Sequence, residues 1–348
     1  MWTNYDVREI NLDSPREIES VRSFLAGFDL TFDGAVDYTI AVYREDEMVA
    51  TGSLAGEVLR NIAVSPNLQG EGLTADVVSR LIQRAGQQGI YHYFIYTKPS
   101  AAPMFTALGF KEVARSEPHA VLLESGMGSI AEYCREITKQ ADVLPAGPRA
   151  ALVVNCNPFT LGHKAVIAKA AAENQAVVVL VVSEDRSLFP FAVRLELVRA
   201  GLAEFNNVLV LPAGKYVISS ATFPGYFTRG EDTVKAQTRL DATVFARYIA
   251  PALGVTRRYV GEEPYCATTC CYNDTLAEIL PQYGVNLELI PRIAVNGEII
   301  SASHVRECIR QDNWPAIQAL VPETTYRYLT SPEAEPVIEN IKRTQSRH

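Results

Sequence analysis

The amino-acid sequence predicts an α/β protein with two domains, an α+β domain at residues 1–125 and a parallel-sheet domain at 148–330. Its 348 residues exceed the size of one typical domain, and each half is long enough for its own core. After residue 148, continuous apolar runs alternate with helical stretches, as in a parallel sheet that helices cover on both faces. Before residue 125, a hairpin and further alternating strands indicate an α+β unit.

The first domain begins with a helix that Ser14 and Pro15 start, with Val21 and Leu25 on one face. Two alternating stretches with an acidic turn between them then predict a hairpin. The predicted strands are Tyr38–Tyr43, Met48–Leu54, Leu59–Val64 and Tyr91–Tyr96. A helix bearing Val77, Val78, Leu81 and Ile82 follows a glycine-containing loop at 65–74.

Residues 126–147 are predicted to connect the domains through a helix at Ile130–Ile137 and a linker that contains proline and glycine. The second domain repeats strand and helix. Its predicted strands are Ala151–Val154, Ala176–Val182, Val208–Leu211, Tyr259–Val260 and Leu287–Ile290. Its predicted helices are Arg194–Phe205, Thr233–Ile249, Asn273–Tyr283, Trp314–Leu320 and Pro322–Leu329. Residues 331–348 are predicted to be a polar tail.

A polar loop at 155–164 follows the first strand of the second domain and leads into an alanine-rich, helix-forming stretch. The first turn of such a helix offers free N–H groups to an anion. Gly162 is expected to let a phosphate approach the backbone closely. His163 is expected to donate to a phosphoryl oxygen as its negative charge grows. A strand–glycine–helix turn with a histidine of no catalytic role is the alternative.

A second polar cluster, Ser301, Ser303 and Arg306, opens another predicted helix after a turn at Asn296–Gly297. Ser301 or Ser303 is expected to be the N-cap. The Arg306 guanidinium offers several rigidly placed donors to phosphate oxygens. A capped helix with a solvated arginine is the alternative for this cluster by itself.

The segments Thr160-x-Gly162-His163 and Ile300-Ser301-x-Ser303-x-Val305-Arg306 resemble the (H/T)-x-G-H and I-S-x-(S/T)-x-(I/V)-R motifs of the nucleotidyltransferase superfamily. The resemblance implies a Rossmann-like sheet and transfer of a nucleoside monophosphate to an acceptor. It also implies that Thr160 and His163 stabilise the α-phosphoryl transition state, and that the second motif holds the departing pyrophosphate. The residues expected to bind ATP are Asn157, Pro158, Phe159, Gly162, Lys164, Ser301 and Ser303. A solvated first-turn lysine is the alternative for Lys164.

The loop at 64–74 resembles the signature V-x-P-x-x-(Q/R)-x-x-G-x-(G/A) of GNAT-type acetyltransferases, except that Thr74 replaces the final small residue. The resemblance implies that backbone N–H groups of this loop bind the pyrophosphate of coenzyme A. Gln69, Gly70 and Gly72 are therefore candidates for binding a CoA-type arm. Three roles of this domain stay open: an active acetyltransferase, a CoA-like binding module, and a structural or docking domain.

Further stretches extend the resemblance over essentially the whole chain, to the citrate (pro-3S)-lyase ligase family. These stretches are Ser183–Asp185, Phe189–Arg194, Ala213–Ser219, Phe223–Phe227 and Val260–Tyr265. The resemblance implies that ATP activates acetate as acetyl-adenylate, with Mg²⁺ held mostly by water and substrate. The acetyl group would then pass to the thiol of a dephospho-CoA-derived arm on the acyl carrier subunit of citrate lyase.

Other interpretations remain open for the function and for single residues. The motifs also fit an adenylyltransferase that acts on a phosphopantetheine-like acceptor, or a non-catalytic regulator that binds CoA or a nucleotide. Arg194 and Lys215 are interpreted first as salt-bridged surface residues. Glu262 and Glu263 would cap a loop or bind ribose.

The composition of the chain limits the classes of partner that we expect. A formal net charge of −8 gives no broad electrostatic footprint for nucleic acid. No apolar run approaches the ~18 residues of a membrane span, and residues 1–6 lack the pattern of a signal peptide. We therefore expect a cytoplasmic enzyme without membrane or nucleic-acid partners. The six cysteines match no zinc pattern, and Cys266, Cys270 and Cys271 are interpreted as reduced thiols, so no protein metal site is expected.

Overall fold

The computed structural model describes residues 5–219, 231–262, 267–291, 294–295 and 298–344. Two compact units make up the chain. The first unit contains Met1–Glu132 and Ser220–Asp241, and the second contains Tyr133–Ser219 and Ala242–His348. The division after Glu132 falls inside α4, the helix that the sequence assigns to the connector.

The first unit is built on a seven-stranded sheet with helices packed against it. Its strands are β1 (Asp6–Glu9), β2 (Tyr38–Arg44), β3 (Glu47–Ala55), β4 (Val58–Val64), β5 (His92–Thr97), β6 (Lys111–Ser116) and β7 (Ala120–Gly126). Its helices are α1 (Pro15–Ala26), α2 (Leu73–Gln87) and α3 (Ala102–Ala107), with a 3₁₀ turn at Pro66–Leu68. α4 (Ile130–Ala141) follows β7 and crosses into the second unit.

The strand order of this sheet is β1-β2-β3-β4-β5-β7-β6, and β4 and β5 are its one parallel pair among the described strands. That pairing joins Val58 to Phe94 and Leu59 to Ile95, near the start of β4. Beyond these pairs the two strands separate, which leaves a gap between their carboxyl-terminal halves. Helix α2 covers one face of the sheet and buries Val77 and Leu81 in the core.

The second unit is built on a five-stranded sheet whose strands all run parallel. They are β8 (Arg149–Val154), β9 (Val177–Val181), β10 (Val208–Pro212), β11 (Val255–Gly261) and β12 (Asn286–Ile290). Their order is β10-β9-β8-β11-β12, so the order reverses beside β8. A crevice at the carboxyl ends of β8 and β11 is the place where this topology binds ligands. The parallel sheet that the apolar runs predict is confirmed.

Helices pack against the second sheet, and its strand β9 is buried along its whole length. The helices of the second unit are α5 (Leu161–Glu173), α6 (Phe191–Gly201), α8 (Ala250–Leu253), α9 (Ala267–Ile279), α10 (Ala302–Arg310), α11 (Trp314–Leu320), α12 (Glu323–Leu329) and α13 (Glu335–Arg343). Helix α7 (Glu231–Val244) belongs to the first unit up to Asp241 and to the second unit from Ala242. A π-helical turn at Phe245–Ile249 precedes α8, and 3₁₀ turns lie at Leu280–Tyr283 and Pro332–Ala334. A two-stranded ribbon, β13 (Ala294–Val295) and β14 (Glu298–Ile299), precedes α10.

The segment from residue 331 corrects the prediction of a polar tail, because residues 332–343 are helical. Val337 and Ile341 of α13 pack into a core cluster that also contains Val305 and Ile309 of α10. Ile341 is fully buried. This helix therefore supports α10, which carries the second polar cluster.

Within the described ranges, the helices are all too short or too polar to cross a membrane.

Candidate functional site

Thr160 is the N-cap of α5, and its backbone and side chain both engage His163 three residues later. The Thr160 hydroxyl accepts a hydrogen bond from the His163 backbone N–H at 3.4 Å. In return the Thr160 backbone N–H donates to His163 Nδ1 at 3.1 Å. Because Nδ1 is an acceptor here, the proton of the neutral imidazole lies on Nε2. Nε2 is therefore a hydrogen-bond donor in the first turn of the helix, where anions bind.

Phe159 supports this ring from the core. Its ring stacks on His163 with centroids 6.1 Å apart and an interplanar angle of 16°. Phe159 is fully buried, and Gly201 of α6 makes room for it, since a Cβ there would lie 2.5 Å from Phe159 Cε1. The Phe159 side chain therefore anchors the loop in the core, and a role of this residue in ATP binding stays a prediction.

The second polar cluster starts α10. Ser301 is the N-cap, with its hydroxyl accepting from the His304 N–H at 3.1 Å, and Ser303 is exposed. Arg306 is buried and donates through Nη2 to Ser303 Oγ at 3.3 Å. Burial lowers the pKa of the Arg306 guanidinium to about 10, and the nearby charge of Arg310 acts in the same direction. The Arg306 guanidinium is thus held away from water, next to the hydroxyl of the exposed Ser303.

Two contacts bring this cluster to the first motif. Arg306 Nη1 donates to the main-chain oxygen of Asn157, 149 residues away in the chain. At Gly162, a Cβ would lie 2.9 Å from the main-chain oxygen of Ile300. The group that lies close to the Gly162 backbone is therefore the main chain at the start of the second motif. The sequence predicted that a phosphate would approach there. The two helices begin side by side because residue 162 has no side chain.

Arg194 corrects the expectation of a salt-bridged surface residue. It is fully buried in α6, and its guanidinium donates to carbonyl oxygens of Asn155, Val182, Glu184 and Phe189, and to the side-chain oxygen of Asn155. These distances lie between 2.8 and 3.0 Å. Burial lowers the pKa of Arg194, and the charge of Asp185 opposes that shift. Arg194 joins the loop after β8 to the loop after β9.

Sequence profiles agree with this two-part construction. The profile of the citrate lyase ligase C-terminal domain matches residues 149–329, and that of the acetyltransferase (GNAT) family matches residues 4–110. A citrate (pro-3S)-lyase ligase from Klebsiella pneumoniae is 36% identical over 322 residues, covering 91% of this chain and 93% of the relative. This chain belongs to the citrate (pro-3S)-lyase ligase family. Relatives of the same name from Escherichia coli K12 and Haemophilus influenzae are 33% and 32% identical, and cover 94% and 90% of the chain and 95% of each relative.

Membership in this ligase family confirms the resemblance found in the sequence, and the remaining predicted site residues can be placed. Asn157 is buried, and its side-chain oxygen accepts from the Phe189 N–H at 3.0 Å, so it holds the loop after β9. Pro158 is buried beside it. Lys164 forms an ion pair with Glu204 at 3.0 Å, and Lys215 is exposed in the loop after β10.

In the first unit, the predicted arm-binding loop lies directly before α2. Gln69, Gly70 and Gly72 are exposed, and both glycines have positive φ angles, 90° and 85°. Gly72 is the N-cap of α2 and offers no side chain to its first turn. The first turn of α2 therefore has no capping oxygen from the side chain of residue 72.

Three predicted features lie outside the described residues: Phe223–Phe227, the stretch after Glu262 with Cys266, and the turn at Asn296–Gly297. Within the described ranges, His, Cys, Asp and Glu form no group of three that could hold a metal ion. Cys134, Cys156, Cys270 and Cys308 are not in disulfide bonds. The Ser301 and Ser303 hydroxyls at the start of α10 are oxygen donors, the type of ligand that Mg²⁺ prefers.

Proposed function

We propose that this chain is an ATP-dependent acetate ligase that forms acetyl-adenylate and acetylates the thiol of the dephospho-CoA-derived arm of the citrate lyase acyl carrier subunit. Acetylation of that arm would activate citrate lyase. The observation that carries the proposal is the contact between Arg306 and the Asn157 main chain. It brings an imidazole donor and a serine–arginine cluster to one edge of a parallel sheet.

The chemistry needs two displacements. An acetate oxygen attacks the α-phosphorus of ATP, the bond from that phosphorus to the bridging oxygen breaks, and pyrophosphate leaves. The carrier's thiolate then attacks the acetyl carbonyl, a thioester forms, and AMP leaves with the former anhydride oxygen. Adenylation is required because a free carboxylate has no leaving group that a thiolate can displace. Positioning and charge neutralisation are the main contributions expected from the protein.

The residues of the second unit fit the first displacement. His163 Nε2–H would donate to an α-phosphoryl oxygen and stabilise its growing charge. The Ser301 and Ser303 hydroxyls and the Arg306 charge would hold the departing pyrophosphate. Thr160 sets the imidazole orientation, and Asn157 and Arg194 hold the loops. Mg²⁺ bound to the phosphates would supply further charge neutralisation.

The front unit would take the second substrate. The exposed Gln69–Gly72 turn and the uncapped start of α2 suit the diphosphate of a CoA-type arm. Recognition of the arm by this unit would deliver the carrier whose thiol accepts the acetyl group.

Exchange of labelled pyrophosphate into ATP tests the adenylation step. We expect acetate to support this exchange better than formate, propionate or citrate. We also expect a chelator of Mg²⁺ to abolish the exchange. His163→Ala should lower the exchange rate by roughly 10²-fold or more, since it removes a donor to the transition state. His119→Ala, at an exposed turn of the first unit, is the control.

The assay also separates the alternatives. Exchange that requires a phosphopantetheine compound in place of acetate would support an adenylyltransferase. Absence of exchange with every acceptor would support a non-catalytic regulator.

A further inference from the structure

Asn155 is the first residue after β8, and its side-chain amide is fixed in one orientation. Arg194 Nη1 donates to one amide atom of Asn155 at 2.9 Å, and the Ser187 hydroxyl donates to the same atom at 3.2 Å. Because a guanidinium can only donate, that atom is the amide oxygen Oδ1, and the other is the nitrogen Nδ2. Asn155 therefore presents an NH₂ group on its remaining side.

This NH₂ group uses one of its two hydrogens. Nδ2 donates to Ser187 Oγ at 3.0 Å, and its second N–H makes no hydrogen bond with the part of the chain that the structure describes. Asn155 is exposed and Ser187 is half-buried, so solvent and small ligands can reach both side chains. The amide N–H and the rotatable hydroxyl form a pair of neutral donors, which suits a small anion.

The buried cation Arg194 strengthens this donor pair. Its contact with Oδ1 polarises the amide, so the N–H groups on Nδ2 become better donors. Arg194 itself is fully buried and donates to main-chain oxygens of both loops, which keeps it from turning toward a ligand. Arg186 pairs with Glu184 at 3.3 Å, and this pair adds no net charge. Recognition of an anion would therefore depend on the amide and the hydroxyl.

The donor pair belongs to the loop that leads to the proposed catalytic histidine. Asn155 opens this loop, and Thr160 at its other end caps the helix that carries His163. The Asn157 side chain accepts from the Phe189 N–H at 3.0 Å, so the loop after β9 is attached to the same loop a second time. The proposed roles of His163 and of the α10 cluster are all contacts to phosphates. Acetate therefore still needs a binding group at this edge of the sheet.

We infer that Asn155 and Ser187 form the subsite that binds the carboxylate of acetate, an inference that rests on the proposed adenylation. The Asn155 N–H and the Ser187 O–H would donate to one carboxylate oxygen, while Arg194 continues to hold Oδ1. The other carboxylate oxygen forms the bond to the α-phosphorus, and pyrophosphate leaves with the electron pair of the bond that breaks. Neutral donors orient the carboxylate. They also leave more negative charge on the attacking oxygen than an ion pair with a cation would.

Two variants, measured by acetate-dependent pyrophosphate exchange, test this inference. Asn155→Asp keeps an oxygen for Arg194 but replaces the NH₂ group by a negatively charged oxygen. The KM for acetate should therefore rise by roughly 10²-fold or more. Ser187→Ala removes one neutral donor and should raise the KM for acetate by roughly tenfold, with the KM for ATP within about threefold of wild type.

Asn286→Asp is the matched control. Asn286 is exposed at the start of β12, so this variant gains the same charge at the opposite edge of the same sheet. Both KM values of the control should stay close to those of the wild type.

The kinetic pattern separates a ligand-binding role from a structural one. An unchanged KM for acetate in either variant would overturn the inference while the adenylation stands. Equal rises of the two KM values in Ser187→Ala, or a fall in kcat alone, would show that the pair only holds the loops and would also overturn it. Absence of acetate-dependent exchange in the wild type would refute the proposed adenylation and the subsite with it. Ser187→Ala decides the matter even if Asn155→Asp does not fold.

Discussion

At Thr160, the start of a helix and the orientation of an imidazole depend on one residue. Its hydroxyl caps α5, and its backbone N–H fixes which nitrogen of His163 carries the proton. A ring whose Nδ1 is already engaged can present Nε2–H to a phosphoryl oxygen without first reorienting. Local fold stability and the proposed catalysis therefore share the same few atoms.

Substitution of this hydroxyl tests that coupling. Thr160→Val keeps the shape but removes the cap, so the free energy of unfolding should fall by about 1 kcal/mol. The exchange rate should fall by roughly 10- to 100-fold, because the hydroxyl that lies 2.9 Å from His163 Nδ1 is lost and only the backbone N–H still holds the imidazole. Thr160→Ser restores the hydroxyl and should keep both properties close to wild type. Chemical denaturation and the exchange assay measure the two effects, and a valine variant with full activity would refute the coupling.

At the scale of elements, the two motifs work as neighbours because α5 and α10 begin almost in contact. The Gly162 backbone faces the Ile300 main chain, and Arg306 reaches the loop before α5. An alanine at 162 would favour helix formation but would push against a backbone oxygen, which cannot rotate away as a side chain can.

We therefore expect Gly162→Ala to lower acetate-dependent exchange by roughly 10²-fold, through a displacement of the two helix starts. Gly86→Ala is the matched control, since Gly86 is also helical and a Cβ there would meet only Tyr91 Cε1, at 3.8 Å. That control should be neutral or slightly stabilising. The rate of acetate-dependent exchange, measured in both variants, tests this prediction. A wild-type rate in Gly162→Ala would show that the contact does not position the motifs.

The elements also show what a sequence can predict. The apolar runs of the second domain predict its strands because a strand buried on both faces has few polar positions, as in β9. The positions of the two motifs can likewise be predicted from the sequence, since each lies at the start of a predicted helix. The N-cap of α10 is Ser301, one of the two serines that the sequence offers.

Other features depend on contacts that no local pattern records. Gly162 owes its role to a main chain more than a hundred residues away. Arg194 binds main-chain carbonyls, which every residue type has, so no partner residue marks it as buried. In α13, the charges of Lys342 and Arg343 suggest a solvated tail, whereas Val337 and Ile341 form the buried stripe.

At the scale of the whole molecule, the two units divide the proposed reaction into adenylation and delivery of the acceptor. A bulky residue in the arm-binding loop should therefore affect one half-reaction only. We expect Gly72→Val to lower acetylation of the carrier by tenfold or so, about the loss of a charged hydrogen bond, and to leave acetate-dependent exchange unchanged. Gly34→Val introduces the same strain at a positive φ of 74° in open space and should affect neither.

Separate measurements of exchange and of carrier acetylation decide this prediction. Equal loss of both activities in Gly72→Val would mean that the loop serves the whole enzyme and would contradict the division of labour.

The contact at Gly162 has a practical consequence for protein engineering. Transplanting the Thr160–His163 turn alone onto another parallel-sheet scaffold would lose the segment that lies against its glycine. A functional graft would have to carry residues 155–164 and 300–306 together, with their spacing preserved, and chimaeras that exchange only one of these segments between relatives should be inactive unless both donors share this backbone contact.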